Sequence, residues 1–216
     1  MNPSPRPSKS SKTTTTATMP FFLRQLITVD TTISYHLYTI AQPLLPHSFL
    51  ILLELSAYFS FLFIISLALL LIPYTPLTLG LLLDLPLIRF IKFLVCRSRP
   101  RYDINTNPAF YYRKQDSFPS GHASRVCLVA ALLHLSAEAI IATLVELRSS
   151  GTGSVDKWIS WDESKTVNFV VGVAWFWAVV TSVSRVVLGR HFFFDVFAGA
   201  CVGVLEALFV FHFLWF

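Results

Sequence analysis

From residue 49 onward the chain alternates long apolar runs with short polar stretches. Each run is close to the length of about 20 residues that a helix needs to cross a bilayer. The pattern predicts five spans: Phe49 to Ile72, closed by the turn "PYTP"; Leu77 to about Cys96; Gly121 to Leu147; Val167 to Leu188; and Phe192 to Phe216. Two polar loops interrupt them, Arg97 to Pro119 and Arg148 to Thr166. The second carries "SSGTGS" and the interfacial aromatics Trp158 and Trp161. Upstream, Phe21 to Leu45 mixes apolar residues with Arg24, Asp30 and His36. It reads as an interfacial helix, with a sixth span as the alternative, before a turn at Pro43 and Pro46. Residues 1–19, rich in Pro, Ser and Thr, carry Arg6, Lys9 and Lys12 and no acid. They read as a disordered tail, in a composition partly shared with organellar transit peptides. The expected architecture is all-α: a polytopic transmembrane bundle over residues 20–216, with about five spans plus the N-terminal helix.

Composition fixes the solvent. Hydrophobic residues make up 54% of the chain and charged ones 13%, against about 25% charge in soluble domains. This is an integral membrane protein. The net charge of +5 does not point to nucleic acid, because the bases sit at the ends of apolar runs, beside headgroups, rather than in one basic stripe. Cys96, Cys127 and Cys201 fall in or beside apolar runs and read as small buried hydrophobes, with neither a disulfide framework nor a zinc site. Gly199 and Gly203 form a GxxxG pair that predicts close helix packing. Glu54, Asp84, Glu138 and Glu206 lie inside apolar runs, where charge demands pairing or protonation.

Alternating the spans across the membrane gathers scattered polar residues on one side: Lys92, Arg97, Arg99, Ser120, His122, Arg185, His191 and Asp195. Several cations around a helix N-terminus make an anion site, since the dipole and free N–H groups there attract phosphate. "PSGH" supplies that terminus: Ser120 is a good cap, and Gly121 lets a ligand approach the backbone. Two histidines suit proton-transfer or nucleophilic roles near neutral pH. His191 and Asp195 are four apart, so the carboxylate is placed to orient the imidazole. A two-metal site would need several converging carboxylates, and here one stands among cations. Neither Cys-x5-Arg nor GxxxxGK[ST] occurs. The remaining chemistry is metal-free phosphoryl transfer through histidine, with no cofactor.

"KFLVCRSRP" (Lys92 to Pro100), "PSGH" (Pro119 to His122) and "SRVVLGRHFFFD" (Ser184 to Asp195) together resemble the K-x6-R-P, PSGH and S-R-x5-H-x3-D signature of the type 2 phosphatidic acid phosphatase superfamily, the lipid phosphate phosphatases. The longer forms of the motifs are similar to the branch holding presqualene and polyisoprenoid diphosphate phosphatases and small plant lipid phosphate phosphatases. The resemblance implies a membrane enzyme that hydrolyses phosphatidate-like or isoprenoid phosphates and diphosphates without metal. It implies His191 as a nucleophile that becomes a phosphohistidine, Asp195 as the holder of its ring, and His122 as the acid for the leaving alcohol. It implies a phosphate clamp of Lys92, Arg99 and Arg185, with Ser120 and Gly121 adding hydrogen bonds. A lipid phosphotransferase on the same scaffold and a non-catalytic anion-binding membrane protein are the alternatives.

Arg97 and Arg101 are expected at headgroups, Arg125 near the site or towards Glu138, and Arg190 behind His191. His36, His47, His134 and His212 match no motif and are expected to be interfacial or packing residues. The tail bases and the basic Arg97–Pro119 loop place the site in the cytosol by the positive-inside rule. The endoplasmic reticulum is the expected membrane, with a plastid membrane as the alternative.

Overall fold

The structure, a computed structural model, describes residues 20–69, 75–100, 102, 116–149 and 162–213. These residues form eight helices and no strand: α1 (Phe21–Ala41), α2 (His47–Ser56), α3 (Phe59–Leu69), α4 (Thr75–Val95), α5 (Gly121–Leu135), α6 (Ala137–Ser149), α7 (Glu163–Val187) and α8 (Phe193–Phe213). The expected tail at 1–19, the "PYTP" turn and most of both polar loops lie outside the described residues. Two helix starts carry side-chain caps. Ser120 Oγ accepts from Ala123 N–H (3.5 Å) at α5, and Asp162 Oδ1 accepts from Ser164 N–H (3.1 Å) at α7, which satisfies donors that a helix leaves unpaired.

Alone, α7 and α8 are long and apolar enough to cross a membrane. Two expected spans are broken instead of continuous. The first divides into α2 and α3, bent by 46°, and the third into α5 and α6, bent by 51°. Counting each bent pair as one span gives up to four among the described residues. At the first break Ala57 is fully buried against Val126, Ala130 and Ala178, and Trp177 Nε1 donates to Ser56 Oγ at 2.9 Å. Packing thus fixes a bend that no Pro or Gly marks. The second break falls at buried Ser136. The expected span at α4 carries Asp84, Arg89 and Lys92, too much charge for composition alone to identify it as a crossing.

Helix α5 is central and packs on α8, α7 and α4. Its closest approach is to α8, and glycine permits it. A Cβ on Gly199 would lie 2.3 Å from the Ser120 carbonyl oxygen, and one on Gly203 2.0 Å from that of Ser124. The GxxxG pair is therefore a backbone-to-backbone contact, as its spacing predicts. It sets the start of α5 against the start of α8, where Ser120 N–H donates to the Asp195 carbonyl at 2.9 Å. Leu62, Leu81, Leu128, Leu132 and Val210 close the core beneath.

Asp84 and Glu206 find polar partners inside the bundle. Arg125 Nε donates to Asp84 Oδ2 at 2.9 Å, so its partner is Asp84 rather than Glu138, which is exposed. Ser124 Oγ lies 3.5 Å from Glu206 Oε2. Of the cysteines only Cys127 is buried; Cys96 and Cys201 are exposed, contrary to the expectation for all three. His36, His47 and His212 are exposed, and His134 accepts from Trp175 Nε1 at 3.3 Å.

The inward contacts of α1 from Asp30 to Tyr38 all meet one end of the bundle. Asp30 and Ser34 accept from Phe194 and Phe193 N–H at the start of α8. Leu37 packs on Ala123, Val186 and Val196, and Tyr38 faces Gly189. Asp30, Ser34, Leu37 and Tyr38 thus set one face of α1 against the helix ends that surround the polar cluster.

Candidate active site

That end of the bundle holds the polar cluster. Lys92 is in the last turn of α4, Arg97 and Arg99 follow it, Ser117 to His122 lead into α5, and Arg185 is in the last turn of α7. Between α7 and α8 the chain makes a tight reversal. Leu188 closes α7, and Gly189 adopts φ +64, the left-handed conformation that glycine reaches at little cost. Gly189 N–H then donates to Val186 O (2.9 Å), and Arg190 N–H to Arg185 O (3.0 Å), the paired bonds of a Schellman ending. His191 N–H reaches the same Arg185 carbonyl at 3.2 Å. The turn therefore folds His191 back over Arg185.

His191 is buried, 2% exposed. Its Nδ1 lies 2.8 Å from the carbonyl oxygen of Ser117. A carbonyl only accepts, so Nδ1 carries the proton and Nε2 holds the lone pair. Burial holds this imidazole well below the usual histidine range, with Arg99, Arg185, Lys92 and His122 acting in the same direction. The ring is neutral at physiological pH and sits in a field of cations.

Asp195 does not orient the ring directly, contrary to the expectation from i,i+4 spacing. Its Oδ2 is 3.9 Å from His191 Nδ1, beyond hydrogen-bond range. The carboxylate accepts instead from Ser117 Oγ, from Phe192 N–H (2.9 Å) and from Arg97 Nη1 (2.7 Å). It therefore holds Ser117, and the Ser117 carbonyl holds the imidazole. Arg97, expected at headgroups, is part of this network, bridging Asp195 to Asp30 at 2.7 and 2.6 Å. Arg101 lies outside the described residues.

The proposed clamp residues converge. Lys92 Nζ donates to the Asp116 carbonyl at 2.7 Å. Arg185, 2% exposed, donates from Nη2 to Glu54 Oε1 at 3.1 Å. Its Nε and Nη1 are buried with no hydrogen-bond partner among the described residues, as is His122 Nε2. Buried donors without partners are rare in folded proteins, and these stand together at one end of the bundle. Arg99 is pulled down to about 10 by burial and by the cations Arg185 and Arg190, and it stays charged at neutral pH. His122 has Arg185, Arg125, Arg99 and Arg190 as charged neighbours, and its ring meets Tyr58 edge-on at 5.6 Å. Arg190 pairs with Glu54 Oε2 at 3.5 Å.

Ser120 is fully buried as the cap of α5. The space a Cβ would need at Gly121 is taken by Arg125 Nη2, 3.1 Å away, and by Ile88, 3.3 Å away. The glycine thus leaves room for the Arg125 guanidinium beside the start of α5. Sequence reasoning passed over Ser117, Asp30 and Glu54. Among the described residues, no three His, Cys, Asp or Glu side chains gather as a metal site.

Comparisons with known proteins bear on the family and the fold. A sequence model of the PAP2 superfamily matches residues 73–216. The chain is 41% identical over 206 residues to the probable lipid phosphate phosphatase beta of Arabidopsis thaliana, covering 93% of this chain and 95% of that one. The crystal structure of a transmembrane PAP2 type phosphatidylglycerolphosphate phosphatase from Bacillus subtilis shares the fold. Its TM-score is 0.62 at 24% identity, over 88% of this chain and 86% of that one. The chain belongs to the PAP2 superfamily.

Proposed function

We propose that this member of the PAP2 superfamily, a membrane phosphatase, hydrolyses lipid phosphate monoesters or isoprenoid diphosphates through a phosphohistidine, without metal. The observation that carries the reading is the Ser117 carbonyl on His191 Nδ1, 2.8 Å away, which leaves Nε2 as the nucleophile among Lys92, Arg99 and Arg185. Nε2 attacks phosphorus, and the bond from phosphorus to the lipid oxygen breaks. His122, as an imidazolium favoured by the bound phosphate's charge, gives its proton to the leaving oxygen. Neutral His122 then takes a proton from water, the water oxygen attacks phosphorus, and the P–N bond breaks to release phosphate. Lys92, Arg99 and Arg185 meet the charge that a metal would otherwise meet, with Ser120 and Gly121 at the α5 N-terminus adding to it.

A lipid substrate suits the setting. Phe90, Phe93 and Leu94 around Lys92 are exposed, so a lipid tail can stay in the bilayer while its headgroup enters. In this reading α4 and the bent pairs α2–α3 and α5–α6 each cross the membrane, giving five spans with α1 at the interface. The test is phosphate release by the purified protein from a panel of lipid monophosphates and diphosphates, with and without EDTA. Release that survives EDTA and is blocked by vanadate supports the reading. No release from any substrate, or loss with EDTA reversed only by metal, contradicts it.

We place the site on the cytosolic face of the endoplasmic reticulum, on the strength of the bases in the tail and the first polar loop. Exposed Cys96, at the end of α4, reports on this. An impermeant maleimide should label it in sealed microsomes, and the Cys96→Ser variant should lose that label. Labelling of Cys96 only after permeabilisation would reverse the orientation.

A further inference from the structure

One guanidinium at the site end is shared by two carboxylates from distant parts of the chain. Arg97 donates from Nη1 to Asp195 Oδ1 at 2.7 Å and from Nη2 to Asp30 Oδ2 at 2.6 Å. Asp30 lies mid-way along α1 and is fully buried. Its other oxygen accepts from Phe194 N–H at 2.9 Å, and Ser34, one turn on, accepts from Phe193 N–H at 2.8 Å. Helix α1 thus satisfies two donors that the first turn of α8 cannot satisfy itself. Asp195 completes that end by accepting from Phe192 N–H at 2.9 Å. Arg97 also lies 4.2 Å over the Phe192 ring. Tyr102 packs against Tyr35, Tyr38 and Phe192, closing the other side of the contact.

We propose that Asp30 is a positioning residue for the reaction, acting through Arg97 on Asp195 and so on the Ser117 carbonyl that orients His191. It precedes the matched residues 73–216, so α1 contributes to the site from outside that region. With both carboxylates present, the Arg97 fork is held at both prongs and Asp195 keeps one oxygen for Ser117 Oγ. Neutralising Asp30 frees one prong, and the guanidinium is drawn fully onto Asp195. The Ser117 hydroxyl then loses its fixed acceptor, and the carbonyl that sets His191 moves with it.

The inference rests on the phosphohistidine reading, and its test begins from a lipid phosphate that the wild type hydrolyses. Asp30→Asn keeps an oxygen for Phe194 N–H and removes the charge facing Arg97. It should lower kcat and the rate of phosphoenzyme formation together, by about 10- to 100-fold. KM and binding of inorganic phosphate should stay within about two-fold of wild type, because the clamp is untouched. Asp195→Asn and the double variant Asp30→Asn/Asp195→Asn should be equally slow, since the first residue acts through the second. Where Asp30→Asn fails to fold, Arg97→Lys replaces it, as an ammonium cannot fork across two carboxylates; the same kcat-only loss is expected. A kcat within about two-fold of wild type in the folded variant, or losses that multiply in the double variant, would overturn the inference. A wild type that releases no phosphate from any lipid removes the functional reading, and the inference falls with it.

Discussion

His191 Nδ1 and the carbonyl oxygen of Ser117 are 2.8 Å apart, and this bond decides which ring nitrogen faces the substrate. Ser117 also donates its hydroxyl to Asp195, so one residue links the carboxylate to the imidazole. Two substitutions separate these links. Asp195→Asn removes the charge that holds Arg97 and Ser117, and misplacing the nucleophile by about 1 Å costs on the order of 100-fold. Ser117→Ala keeps the backbone carbonyl and loses only the hydroxyl, so its kcat should fall less than that of Asp195→Asn. Steady-state kinetics on one lipid phosphate give the order. A larger loss in Ser117→Ala would mean that the hydroxyl touches the substrate itself.

The pH dependence has a defined sign. Burial first, and then Arg99, Arg185 and Lys92, disfavour the imidazolium of His191. The acid limb of kcat/KM, where the free enzyme's nucleophile protonates, therefore lies below the ordinary histidine value of about 6.5. Arg99→Gln removes one of those cations and raises His191 towards that value. The acid limb should move to higher pH than wild type on the same substrate, alongside an overall loss of about 100- to 1000-fold from the missing clamp charge. A limb that stays in place or moves to lower pH would show that Arg99 does not act on His191.

The α5–α8 contact makes a stability prediction. Gly203→Ala places a methyl 2.0 Å from the present position of the Ser124 carbonyl oxygen. Backbone must move, at a cost of at least the roughly 1–3 kcal/mol typical of overpacking. Thermal unfolding in detergent should show the loss. Gly172→Ala is the control, because nothing lies within 4 Å of its added carbon and its melting temperature should not fall.

How far the sequence could be read depended on the range of each interaction. The helical segments, the cap at Ser120 and the glycine contact between α5 and α8 follow from local pattern, since the length of an apolar run, a capping residue and GxxxG spacing all lie within one helix. The convergence of Lys92, Arg99, His122, Arg185 and His191 followed from alternating the spans. What stayed hidden were pairings across the chain: Arg97 with Asp30 over 67 positions and Arg185 with Glu54 over 131. No periodicity connects such residues. A signal did exist, because carboxylates such as Asp30 and Glu54 within apolar helices require partners, and Arg97 and Arg185 stood within the motif stretches. Bends at Ala57 and Ser136 carry no proline or glycine, and that at Ala57 is set by packing against distant residues. Asp195 was placed one step too close to His191, because i,i+4 spacing cannot foresee that Ser117 stands between them.

The central claim is that His191 Nε2 carries the phosphoryl group. The direct measurement is rapid quenching of the His122→Ala variant on a lipid substrate with a good leaving group and a radiolabelled phosphate, followed by mapping of the label. With attack intact and the proton donor removed, an acid-labile, base-stable phosphoryl group should accumulate on His191 at Nε2. It should be absent when His191→Ala is added, and His191→Ala alone should have no turnover. Label on another residue, or sustained turnover by His191→Ala, would contradict the account.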